Sequence, residues 1–121
     1  MAVAFSYGGR KTMRVILCTL NGRIAPKYYD AAQLLLLHIR DGVVAHREVI
    51  AVEALEPDEL CSLVLNMKTD VVICGGIRQD YQEKLAGSSV QLIYNVIGNT
   101  EEVVERFVKG TLRTGDIVSQ Q

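Results

Sequence analysis

Three cysteines, two histidines and a Lys-Tyr-Tyr run are the side chains of this 121-residue chain whose types and spacing bear on chemistry. Cys74 ends the apolar run VVIC, Val71–Cys74, and Gly75 and Gly76 follow it. A thiol therefore stands where a buried strand runs out, beside two residues that let another backbone or a ligand approach closely. Cys18 holds the matching place near the end of MRVILCT. A thiolate is a soft donor suited to iron–sulfur and molybdenum–sulfur chemistry. A thiol is also a small hydrophobe, among the most often buried side chains. Both readings stay open for Cys18 and Cys74, whereas Cys61, beside Leu60 on an apolar helical stripe, reads as structural. No Cys-x-x-Cys pair occurs, and three cysteines cannot build a four-cysteine zinc or iron–sulfur centre.

The remaining candidates are weaker. His38 and His46 flank Asp41-Gly42, the strongest short-range hairpin signal. A two-residue turn sets Arg40 opposite Val43, His38 opposite Ala45 and Leu37 opposite His46. Alternation then points the two imidazoles to opposite faces, where they cannot share a metal. GGIRQD lacks both dinucleotide-loop and Walker spacing. Glu101 and Glu102 suit a helix start and need no other role. Lys27, Tyr28 and Tyr29 follow Pro26 in a loop after the first strand, as a ligand lid, an interaction surface or plain loop packing. No Ser-His-Asp or Cys-His arrangement and no acid–base pair is recognisable, so catalysis is not expected. Acidic residues are absent from the strand cores, which argues against metal-dependent nuclease chemistry.

The elements that must position these residues follow from periodicity. Met13–Thr19 is a nearly continuous apolar run, as in a strand covered on both faces. LNGRIAPKYYDAAQ reads as a loop, and LLLLHIR and VVAHREVI form the hairpin. Leu60, Leu63, Val64 and Met67 share one helical face behind Pro57 and Asp58. VVIC, a helix near Gln79–Ala86, the strand SVQLIY and a helix capped by Asn99 with Glu102 complete the chain. The order β-β-β-α-β-α-β-α predicts an α/β fold: a five-stranded mixed sheet of order 3-2-1-4-5, strand 2 antiparallel, with helices on both faces. Winding reverses between strands 1 and 4, leaving a crevice at their carboxyl ends. Cys18 and Cys74 both end there.

Residues 1–12 read as a flexible leader, 13–112 as one domain and 113–121 as a flexible tail. A formal charge of −1, from 13 basic and 14 acidic residues, offers no footprint for nucleic acid. The apolar runs are far shorter than the ~20 residues of a membrane span. An odd cysteine count without framework spacing suits a reducing cytoplasm.

MRVILCTLNGRIAPKYYDAAQLLLLHIRDG, TDVVICGGI and IGNTEEVVERFVKGTL together resemble, in order and spacing, the dinitrogenase iron–molybdenum cofactor biosynthesis family of small ribonuclease-H-like domains. The resemblance runs from Met13 to Leu112. It implies a three-layer ribonuclease-H-like fold and a non-catalytic role. That role is binding or carrying an iron–sulfur or molybdenum-containing cluster, or a precursor, with a metallocofactor assembly or acceptor protein as partner. The site expected here joins Cys18, Asn21, Lys27, Tyr28, Cys74, Gly75 and Gly76, with Cys18 and Cys74, the soft donors near the crevice, as metal ligands. One departure matters: the family's first loop carries a ligand histidine where this chain has Lys27. A protonated lysine has no lone pair for a metal and acts on an anionic cluster only by charge. Loss of that imidazole favours the alternative, an interaction or regulatory module that kept the fold and lost the cluster.

Overall fold

The computed structural model describes residues 12–118. Its central strand β1 (Thr12–Leu20) carries apolar side chains on both faces, and both faces are covered. β3 (Gln33–Arg40) pairs with it antiparallel, and β4 (Val43–Ala51) pairs antiparallel with β3. On the other side β5 (Val71–Ile73) runs parallel to β1, and β6 (Gln91–Ile93) parallel to β5. The sheet order is β4-β3-β1-β5-β6.

Alternation divides the core. Val15, Leu17, Leu35, Leu37 and Ile39 pack with Val103, Val104 and Phe107 of α3 (Thr100–Val108). Ile16, Cys18, Leu34 and Leu36 pack with α1 (Pro57–Asn66) and α2 (Gln79–Gly87) on the opposite face. Helix starts are set locally. Glu59 accepts the Glu56 N–H at 2.8 Å ahead of Pro57, and Asn99 accepts from the N–H groups of Glu101 and Glu102. The expected reciprocal contact from Glu102 does not form: its Oε1 is buried without a hydrogen-bond partner. No helix among the described residues is long and apolar enough to cross a membrane.

Four sequence expectations need correction. First, the 21–32 segment is not simply a loop. Asn21 (φ 53°) and Gly22 (φ 79°) make a tight turn, and β2 (Arg23–Ile24) pairs back on Thr19 and Leu20. Second, Thr12, expected in the leader, already belongs to β1 opposite Arg40, while residues 1–11 lie outside the described residues. Third, residues 113–118 are not a loose end. β8 (Ile117–Val118) pairs parallel with β7 (Ile97–Gly98), and Val118 is buried against the α3 side of the core.

The fourth correction concerns the histidines. The Asp41-Gly42 turn has both residues at positive φ and sets Arg40 opposite Val43 and Ile39 opposite Val44. There the register slips by one residue, and His38 lies opposite His46 instead of Ala45. Ala45 is a β-bulge, which reverses the facing of every later residue of β4. The gain is visible on both faces: Ile50 packs on the α1 side, and Arg47 forms a two-pronged ion pair with Glu101 of α3 at 2.8 and 2.9 Å.

Ending the chain at Asp116 removes the buried Val118 and is expected to cost on the order of 2 kcal/mol. Thermal denaturation checks this; a melting temperature equal to that of the full chain would mean that β8 adds nothing to the fold.

Candidate functional site

The strand-end glycines explain themselves through backbone. After β2 the chain crosses from β1 to β5. Ala25 N–H donates to the Cys18 carbonyl at 3.0 Å, Gly76 N–H to Pro26 at 2.8 Å, and Tyr28 N–H to Gly76 at 2.7 Å. A single 3-10 turn, Tyr28–Asp30, follows, and Ala32 N–H returns to the Thr19 carbonyl at 2.9 Å. From the other side Asn95 N–H donates to Gly75 and Val96 N–H to Cys74. Gly75 is thus hemmed in by two segments of the chain. A Cβ there would lie 2.2 Å from the Ala25 carbonyl oxygen and 2.5 Å from that of Pro26. Only glycine fits.

Tyr28 latches this loop. Its side chain turns inward and is 3% exposed, its ring centroid 5.1 Å from that of Tyr81. Its hydroxyl donates to the Pro57 carbonyl at the start of α1. The Tyr81 hydroxyl donates to Asp58 at 2.6 Å, so loop, α1 and α2 are tied at one point. Burial pushes the Tyr28 hydroxyl far above its ordinary range, and nearby Cys61, Tyr81, Cys18 and Asp58 push the same way. Tyr28 is a structural plug in this arrangement.

Beneath the plug lie the thiols. The β1–β5 register, Leu17 opposite Ile73, brings Cys18 and Cys74 side by side, and both are fully buried. Burial pushes Cys18 up to about 12. Cys74 is raised well above its ordinary value by burial first and by Cys18 second. Cys61, also in this core, is raised by burial; Lys84 opposes the shift and Asp58 adds to it. All three thiols are therefore protonated at neutral pH. The stability that the neutral Cys18 thiol contributes is complete below about pH 9, its unburied value, and fades as pH climbs towards 12.

The exposed part of the site is separate. Lys27 forms a parallel bridge with Gly76, and its ammonium lies 5.7 Å from the centre of the half-exposed Tyr29 ring. The Asn95 side-chain oxygen and the Lys27 Cγ both lie within 4 Å of where a Gly76 Cβ would stand. Asn21 is exposed at the β1–β2 turn, and the neighbouring Gly22 carbonyl accepts the N–H of Thr100, at the start of α3. Of the seven residues singled out in the sequence, the structure gathers Cys18, Cys74, Gly75 and Tyr28 inside and leaves Lys27 and Gly76 above them. Asn21 stands apart at its turn. Asn95 and Tyr81 join the site unforeseen; Asn95 carries a positive φ of 57°, a conformation that asparagine tolerates, two residues after β6.

The donor set fits a metal–sulfur group only in part. Two soft sulfurs stand side by side, but the closed loop bars both from solvent, and Lys27 supplies charge without a ligating lone pair.

No family model matches the chain, and no curated protein matches it. Solved structures do. The crystal structure of PH0822 superposes with a TM-score of 0.77 at 19% identity, covering 84% of this chain and 94% of that one. The solution structure of a "putative dinitrogenase" (MJ0327) from Methanococcus jannaschii gives 0.69 at 17%, covering 87% and 94%. The apo form of the orange protein from Desulfovibrio gigas gives 0.68 at 15%, covering 84% and 92%. Similarity at these identities establishes a shared fold.

Gly75→Ala forces backbone apart and is expected to cost about 3 kcal/mol. Gly76→Ala, whose nearest contact would be 3.4 Å, should cost far less. Denaturant unfolding of the two variants checks this, and equal midpoints would refute the clamp.

Proposed function

We propose that the chain is a non-catalytic binding or carrier domain for an anionic metal–sulfur cluster or its precursor, of iron–sulfur or molybdenum–sulfur type, within metallocofactor assembly. The observation that carries this reading is the paired thiols, Cys18 and Cys74, on adjacent strand ends under one loop. The extended resemblance over Met13–Leu112 and the fold shared with a structure described as a putative dinitrogenase support it. On this reading the fold is ribonuclease-H-like, the cargo is attracted by Lys27, and the sulfurs become donors when the 25–31 segment lifts. A metallocofactor assembly or acceptor protein is the partner, and the setting is the cytoplasm.

A second reading has its own support. The raised, buried thiols and the lysine in the ligand position suit an interaction module that no longer takes a cluster.

Anaerobic reconstitution with iron and sulfide, or with thiomolybdate, separates the two. The carrier reading expects visible absorption at a defined stoichiometry, weakened markedly by Cys74→Ala and unaffected by Cys61→Ala. A colourless wild type would favour the interaction module instead, and alanine variants at Cys18, Cys61 and Cys74 that all bind alike would overturn the thiol site.

A further inference from the structure

The chain holds only two histidines, and the Ala45 bulge makes them cross-strand partners. Their ring centroids are 5.4 Å apart, with the planes at 56°. His46 is exposed on the outer strand of the sheet, and His38 is half-buried beside it. A tilted ring contact explains proximity, but the spacing carries more. A ring centroid lies about 3.2 Å from a metal that its nitrogen holds at about 2.1 Å, so two imidazoles on one tetrahedral ion stand roughly 5.2 Å apart. The observed separation is within a few tenths of that value. Both side chains spring from paired strands, so little backbone freedom is lost when an ion joins them.

From this geometry we infer that His38 and His46 form a surface chelate for a borderline divalent ion, Zn²⁺ above all, distinct from the Cys18–Cys74 site. The pair supplies two neutral imidazole ligands, and water completes the shell. Among the described residues no three His, Cys, Asp or Glu side chains converge into a closed centre, so the site is open and exchangeable rather than structural. Glu48, two residues along β4 on the same face, adds negative charge near the ion. Arg14, opposite His38 on β1, opposes it. Imidazole donors select Zn²⁺, Cu²⁺ or Ni²⁺ over Mg²⁺ and Ca²⁺.

Calorimetric titration of the full chain, free of any histidine tag, with Zn²⁺ tests the inference. One ion per chain is expected, with affinity falling in acid as protons compete for the rings. His46→Ala, an exposed change that leaves the fold intact, and His38→Gln should each weaken binding at least about tenfold. Arg14→Gln should tighten it, while Cys61→Ala leaves it unchanged. Absence of binding by the wild type, or retention of wild-type affinity in both histidine variants, would overturn the site. Mg²⁺ competing as well as Cu²⁺ would do so too. None of these outcomes depends on whether a cluster binds elsewhere, so this test and the reconstitution fail independently.

Discussion

The contact on which the rest depends is the approach of the Ala25–Pro26 backbone to Gly75. No side chain fits between them, so the loop after β2 lies flat on the end of β5 and exchanges hydrogen bonds with Gly76 through Pro26 and Tyr28, on either side of Lys27. That seating delivers Tyr28 to its pocket against Tyr81 and the start of α1. It also shuts Cys18 and Cys74 away from water, and their protonation follows from that burial. The crevice left by the reversal of winding is thereby filled by the chain's own backbone.

Two consequences meet at this loop. A buried neutral thiol packs well and ligates badly, whereas a thiolate ligates well and cannot remain unpaired in an apolar core. A site built from Cys18 and Cys74 is therefore a two-state device: closed and apolar, or open and soft. Lifting the segment breaks hydrogen bonds worth about 1 kcal/mol each and exposes a tyrosine that contributes about twice that, so opening costs several kcal/mol. Sulfur ligation must exceed that cost for the carrier reading to hold, and Lys27, already at the surface, is placed to attract an anion before opening.

Much of this architecture was legible in the sequence because its signals are local. The apolar runs of β1, β3, β4 and β5, the helical stripe of α1, and Asn99 before α3 all announce mixed α/β structure. The Gly75 signal was also visible, but its cause lay fifty residues away in Ala25 and Pro26, where nothing in residue type reveals a close backbone approach. The Ala45 bulge was illegible for another reason. Alanine marks no turn, and the slip is decided by which of the later β4 residues gain from facing each helix layer, as Arg47 and Ile50 do. The β1–β2 hairpin carried its Asn-Gly mark but no alternation after it. β8 is only two residues long, too short to show any period.

Amide hydrogen exchange, measured anaerobically with and without tetrathiomolybdate, tests the central claim most directly. If the loop is the door to the thiols, bound cargo changes the exchange of Ala25, Tyr28 and Gly76 N–H groups while the β3–β4 hairpin stays as it was. Unchanged exchange at these three amides under conditions where the molybdenum is bound would contradict the account.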